Sequence, residues 1–331
     1  MFLWGLRPGW FYPWGAPLFW GENDQIVIRP KRFGFRRFGI ICHDTTQQTE
    51  HVLLETANPI HALSLRNTDE LIVSSYSNGD MLCRVISLRH PLDSPVREFC
   101  LSGVMGQKFM PKSLGYIKQS IVCDGSECFT EFRAITTEGD FLIGPRYPGR
   151  IWKGPCVSER EDWLAFSDDD NIHLVHLATG KQIAFPYGKS GFCNWSDNNI
   201  LLACSGLANC FVLIDSSSRE AHAIHPVVGM VCHGAVSVSG RYVAYWTWNK
   251  DAYDDEQTAL YLYSVQDGSH RKLTQWAMIN AACWGRKERY LSLSGVRKRD
   301  LSDFNFGRKM RNAYTQDWEI LDLDENVCVH S

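Results

Sequence analysis

The chain has little net charge. Its 34 Lys and Arg against 37 Asp and Glu leave a formal −3 over 331 residues, so no global field draws it to nucleic acid or to an anionic membrane. Any polyanion contact has to be local. A long apolar run is also missing. The first twenty residues hold Phe2, Trp4, Trp10, Phe11, Tyr12, Trp14, Phe19 and Trp20, but Gly5, Pro8, Gly9, Pro13 and Gly15 interrupt them, with neither a basic leader nor a continuous aliphatic core. That pattern argues against a signal peptide and against a transmembrane segment. No glycine-rich phosphate loop or dinucleotide fingerprint lies between a strand and a helix pattern, and no serine sits in a Gly-x-Ser-x-Gly turn. Nucleotide hydrolysis, hydride transfer and serine-hydrolase chemistry are therefore disfavoured, and no cofactor is implied. The 44% hydrophobic and 21% charged content is ordinary for a folded chain with a substantial core.

What the chain does have is a repeat. The phrases "CVSEREDWLAFS", "CNWSDNNILLAC", "AVSVSGRYVAYW" and "CWGRKERYLSLS" align on Trp163, Ile200, Tyr242 and Tyr290, with Cys156, Cys193, Ala235 and Cys283 each seven positions earlier. Weaker copies centre near Ile26, Leu71 and Leu114. The anchors recur at intervals of about 37 to 49 residues, the span of one propeller blade. After each anchor comes an alternating segment around a Gly, Asp, Asn or Ser turn, such as "NIHLVHLATGKQIAF" and "ALYLYSVQDGSHRKL". Period-two alternation on both sides of a turn is a hairpin signature, which supplies the third and fourth strands of each blade. The expected fold is all-β, a seven-bladed β-propeller with four-stranded antiparallel blades. Residues 16–331 then form a single propeller domain, because a sheet that cannot bury both faces alone can do so between neighbours. Residues 1–15 are an aromatic segment that either closes the ring or docks a partner.

The phrase "VSVSGRYVAYW" followed by "LYLYSVQDGSHRKLT" resembles the blades of TolB-like and WD40-like propellers, most clearly over residues 155–293. The resemblance implies a circular blade arrangement and often a protein-binding role. It carries over no catalytic residues.

Twelve cysteines are too dispersed for a small disulfide scaffold. Cys156, Cys193 and Cys283 recur on first strands and read as small, buried, reduced hydrophobes. Cys123 and Cys128 in "CDGSEC" lack a matching second pair and read as structural or free thiols rather than a disulfide or metal site. Together these favour a cytoplasmic location.

The strongest functional feature is basic and aromatic. The connection between the second and third strands of blade 1 is expected to hold Lys31, Arg32, Phe35, Arg36, Arg37 and Phe38, in "KRFGFRRF". The equivalent, longer connection of blade 7 holds Arg297, Lys298, Arg299, Phe304, Phe306, Arg308, Lys309 and Arg311. Ring closure makes the two blades neighbours, so ten cations converge with interleaved phenylalanines. Guanidinium groups bind carboxylates and phosphates bidentately. This points to a non-enzymatic interaction scaffold for an acidic or phosphorylated protein partner, with single-stranded nucleic acid as an alternative ligand.

Acidic and histidine clusters offer less. "NKDAYDDEQ" in blade 6, with Asp251, Asp254, Asp255 and Glu256, does not reproduce a calcium loop and suits inter-loop ion pairing or partner selectivity. "SDDDN" at Ser167–Asn171 reads as a hairpin turn. His173 and His176 fall on opposite faces of a strand. His222, His225, His233 and His61 could meet near a central channel, the basis of the enzymatic alternative, a metal-dependent lyase or hydrolase acting on an acidic carbohydrate. No spacing fixes such a metal site, and none is assigned.

Overall fold

The computed structural model describes residues 18–21, 24–34, 37–58, 60–65, 69–77, 80–89, 97–101, 108–110, 112–136, 138–148, 151, 153–249, 251, 257–276, 278–296, 317–324 and 328–329. The expected aromatic segment 1–15 lies outside them. The described residues form seven antiparallel sheets, each a meander in which strands pair in chain order. The all-β, seven-bladed expectation stands. The uniform four-stranded blade needs correction: Leu18–Trp20 in blade 1, Lys108–Met110 in blade 3 and Cys328–Val329 in blade 7 are stubs. Each of those blades is three full strands with a short fourth at its edge.

The anchors mark where the second strands begin. Ile26, Trp163, Ile200, Tyr242 and Tyr290 are each the first residue of their blade's second strand. In blades 2 and 3 the second strands start at Glu70 and Gly115, within a residue of the expected positions. The turn before the anchor has a physical signature. Asp24, Leu114, Glu161, Asn199, Gly240 and Glu288 all take positive φ, which reverses the chain tightly between the first and second strands.

These second strands are buried on both faces. In blade 4, Leu164 and Phe166 join Ile117, Phe132, Ile143 and Tyr147 of blade 3 in one core cluster. The intervening Ala165 faces the other way, into a cluster with Leu201, Ala203 and Val212 of blade 5. In blade 5 the same alternation sends Leu201 and Ala203 to blade 4 and Leu202 to Val243 and Tyr245 of blade 6. A period of two thus becomes a core distributed between sheets, since successive side chains leave a strand on opposite faces.

Two compact units arise. One contains blades 1 and 2 with most of blade 7, and its cores are the cluster of Ile28, Ile40, Leu71 and Ile86 and the cluster of Phe19, Val27 and Ile320. The other contains blades 3 to 6. Among the described residues no helix is long and apolar enough to cross a membrane.

Candidate partner-binding face

In an antiparallel meander, the turn between second and third strands and the connection leaving the fourth strand emerge at the same end of the sheet.

Within the first unit, blades 1 and 7 are neighbours as expected. Phe19 stacks on Tyr290 with ring centroids 6.2 Å apart. Buried Asp24 accepts the backbone N–H groups of Arg286 and Lys287, each at 3.0 Å. The guanidinium of Arg29 lies 4.5 Å from the ring centroid of Trp318 and donates to Glu50 at 2.9 Å. Lys31 reaches the other oxygen of the same carboxylate at 3.0 Å. Burial opposes ionisation of Glu50, but the two cations outweigh it and hold the carboxyl below its usual range. This seam of Arg29, Glu50 and Trp318 was not singled out by sequence reasoning, because Arg29 and Trp318 are nearly 290 residues apart along the chain. An Arg five positions beyond the turn residue Asp24 was the only local signal.

The blade 1 basic stretch is sheet rather than loop. The second strand runs Ile26–Gly34 and the third Arg37–Asp44, so Lys31, Arg32, Arg37 and Phe38 occupy ladder positions, with Lys31 opposite Gly39 and Arg32 opposite Phe38. The reason is the long run on both sides of the turn, which carries the ladder as far as Gly34 opposite Arg37. Arg37 is well exposed and donates to Glu55 at 2.7 Å, and that carboxylate raises its pKa. Phe35 and Arg36, at the tip, lie outside the described residues. So do Arg297, Lys298, Arg299, Phe304, Phe306, Arg308, Lys309 and Arg311.

In the second unit the same end of blades 5 and 6 carries a group of exposed apolar side chains. Leu207 is 75% exposed in the turn between the second and third strands of blade 5. Val227 and Val228, 56% and 50% exposed, lie on the connection to blade 6. Met230 follows at 55% and is the ladder partner of Trp248, at 39%. Asn209 ties turn to connection: its side chain donates to Gly229 O at 3.2 Å and accepts the Val231 N–H at 2.9 Å. Gly229 has φ 80°, and a Cβ there would stand 2.7 Å from Trp248 O, so only glycine lets this connection lie against the strand. Apolar side chains grouped in this way on a surface mark interaction sites.

The remaining candidates resolve into local structure. Asp168 caps the turn of "SDDDN": Oδ1 accepts the Asp170 and Asn171 N–H groups at 2.9 and 2.7 Å, and Oδ2 pairs with His173 Nε2 at 2.6 Å. Burial works against the Asp168 carboxylate, but these hydrogen bonds prevail and lower its pKa. His173 stacks on Phe166 while His176 meets Trp163 edge-on, the opposite faces the strand geometry required. His222 and His225 are exposed, whereas half-buried His233 hydrogen-bonds Gly234 O at 3.1 Å and stacks on Trp246. The described histidines do not converge, and the His61 side chain is not described. Among the described residues no group of three or more His, Cys, Asp or Glu is arranged to hold a metal. In "NKDAYDDEQ", Asp251 is exposed and residues 252–256 lie outside the described set.

The cysteine expectations need two corrections. Cys123 and Cys128 form a disulfide, because they are direct ladder partners across the turn at Gly125 and Ser126, a register that spacing alone does not reveal. Cys156, Cys193 and Cys283 are free and sit on first strands, but they are partly exposed rather than fully buried.

No protein-family model matches the chain, and no curated protein matches it. Solved structures do. A prolyl endopeptidase aligns with TM-score 0.61 and 12% identity over 95% of this chain and 47% of that one, so the chain spans about half the length of that enzyme. An uncharacterised protein from Listeria monocytogenes aligns at 0.57, 8% identical over 95% and 93%. Oligogalacturonate lyase in complex with manganese aligns at 0.54, 8% identical over 84% and 92%. At such identities the likeness establishes fold alone. That fold is the β-propeller, as the TolB-like and WD40-like resemblance implied.

Proposed function

We propose that this chain is an interaction scaffold that receives a protein partner at the end of its blades where second-to-third-strand turns and inter-blade connections emerge. The observation that carries this reading is the apolar group of Leu207, Val227, Val228, Met230 and Trp248, held in place by Asn209 and Gly229. Burying such side chains against a partner contributes roughly 25 cal/mol per Å² of apolar surface. The finer reading adds charge. The basic-aromatic stretches of blades 1 and 7 select an acidic or phosphorylated segment, with Arg36, Arg37, Arg297, Arg299, Arg308 and Arg311 as donors and Phe35, Phe38, Phe304 and Phe306 as apolar anchors. Arg37 and Glu55 form an exposed pair, and pairs of that kind add little to stability. An incoming phosphate can therefore take the place of Glu55 at small cost.

The test is fluorescence anisotropy of the purified chain with three probes: an acidic peptide interspersed with Leu and Phe, its phosphoserine counterpart, and a single-stranded oligonucleotide. Two combined variants separate the contributions: Arg36, Arg37, Arg308 and Arg311 all to Ala, and Leu207, Val228 and Met230 all to Ser. Each variant is scored by itself: the arginine variant tests the basic-aromatic stretches and the apolar variant the blade 5 and 6 group, and a loss of roughly tenfold or more in either supports that assignment. Unchanged binding by a folded arginine variant removes the basic-aromatic assignment. Binding of the oligonucleotide alone replaces the protein partner with nucleic acid, and manganese-dependent cleavage of an acidic oligosaccharide replaces the scaffold with a lyase.

A further inference from the structure

A second cluster involves the thiols of blade 5. Cys193 and Cys204 come from its first strand, Ser190–Trp195, and its second, Ile200–Ser205. The register between them passes from Phe192 opposite Ala203 to Asn194 opposite Leu202. Cys193 is therefore the additional residue of a β-bulge, a device that re-aims a side chain, and its thiol meets the sulfur of Cys204 in a hydrogen bond. Cys204 is the ladder partner of Gly191. A Cβ on Gly191 would stand 3.1 Å from the Cys204 Sγ, so the missing side chain leaves space that the sulfur occupies. There it accepts the Gly191 N–H.

The charged and titratable groups around this sulfur are Lys153 from blade 4, Cys193 and Cys210 from blade 5, and Cys232 from blade 6. Only Lys153 brings a charge, and it is positive. The Cys193 hydrogen bond, followed by the Gly191 N–H and the Lys153 cation, lowers the Cys204 thiol against its burial, whereas burial raises the Cys193 thiol. Both residues keep part of their surface exposed to solvent. Hydrogen-bond donors and a nearby cation are the setting in which cysteines become nucleophilic.

We propose that Cys204 is a hydroperoxide-reactive nucleophile whose sulfenic acid is resolved by Cys193, making blade 5 a site of reversible thiol oxidation. The Cys204 thiolate attacks the peroxide, its S–O bond forming as the O–O bond breaks. The departing alkoxide or hydroxide takes a proton from solvent and leaves as alcohol or water. Sulfur loses two electrons and the peroxide gains them. The Cys193 sulfur, releasing its proton, then attacks the Cys204 sulfur. The S–S bond forms, the S–O bond breaks, and hydroxide departs with that proton as water. Two thiols and one hydroperoxide give one disulfide, one alcohol or water, and one further water.

The test uses the whole chain after mild reduction. It is exposed to limiting hydrogen peroxide with a sulfenic-acid trap, alkylated, and read by peptide mass spectrometry. In the wild type a Cys193–Cys204 linkage is expected, lost again on adding a dithiol. In Cys193→Ala the linkage is absent and the trap adduct on Cys204 accumulates. In Cys204→Ser, Cys193 stays unmodified. Without peroxide, Cys204 should alkylate at pH 7 roughly tenfold faster than Cys42 or Cys100, since an ordinary thiol is only a few per cent thiolate there. Burial moreover pushes Cys42 up to about 11. The same-sized Cys193→Ser variant keeps a donor to the Cys204 sulfur and, checked by circular dichroism, should also lack the linkage and accumulate at least as much adduct as Cys193→Ala, which excludes a packing defect. Equal alkylation of Cys204, Cys42 and Cys100 would overturn the proposal, as would a Cys204 trap adduct at the same level in wild type and in Cys193→Ala.

Discussion

The carboxylate of Asp24 accepts the backbone N–H of Lys287 at 3.0 Å. One residue lies in the first turn of blade 1 and the other in the first turn of blade 7, so a single side chain joins segments from the two ends of the propeller. Glu161 repeats the device between blades 4 and 3, accepting the Lys112 and Ser113 N–H groups at 2.6 and 3.0 Å. In both cases a carboxylate from one first-to-second-strand turn holds the corresponding turn of the preceding blade. Both residues adopt positive φ, 57° and 59°, which aims the side chain away from its own sheet.

Removing either carboxylate leaves two backbone donors without their acceptor. Asp24→Ala and Glu161→Ala should each lower unfolding free energy by about 1–3 kcal/mol. The two sites lie in different compact units, so the losses should add. Urea titration of the single and double variants measures this. A loss below a few tenths of a kcal/mol for Asp24→Ala would mean that the clamp does not hold the blade 7 seam.

Core energetics should follow the inter-blade clusters. Phe166 is fully buried between blades 3 and 4, with ring centroids 4.8 Å from Phe132 and 4.4 Å from Tyr147. Phe166→Ala is expected to cost about 3–5 kcal/mol. Phe141, on the fourth strand of blade 3 and 50% exposed, serves as control, and Phe141→Ala should stay within about 0.5 kcal/mol of wild type. Thermal unfolding of the pair distinguishes a core shared between blades from independent sheets.

Acid should destabilise the fold in two windows. Burial depresses the pKa of His233 and of His270, so their stabilising contribution is complete above the ordinary histidine value near about 6.5. It is lost as pH falls through their folded values, because the unfolded chain takes up protons first. Asp168 is also depressed, by hydrogen bonds that outweigh its burial. Its contribution is complete above the ordinary carboxylate range and disappears as pH falls through the lower folded value. Urea midpoints measured from pH 8 to pH 3 should show both declines, and Asp168→Asn should flatten only the more acidic one. A variant profile that parallels wild type below pH 5 would sink the Asp168 assignment.

Much of the scaffold was legible along the chain. Trp163, Ile200, Tyr242 and Tyr290 each open a second strand because a polar turn followed by an alternating apolar run is a local instruction, readable without knowledge of the partner strand. The binding face was less legible. Lys31 and Arg37 looked like loop cations, yet they lie in a long hairpin beside Glu50 and Glu55. Leu207 and Met230 looked unremarkable until turn and connection were joined by Asn209.

The sequence by itself determined the all-β class, the number of blades and the two-sided burial of their second strands, because strand periodicity and turn chemistry act over a few neighbouring residues. Tertiary structure alone decided which residues meet across blades and hairpins: Asp24 with Lys287, Arg29 with Trp318, Cys193 with Cys204, and Cys123 with Cys128. Those pairings depend on register, on bulges and on the packing of one sheet against the next. A shift of one residue sends a side chain to the opposite face, and composition and spacing carry no record of that choice.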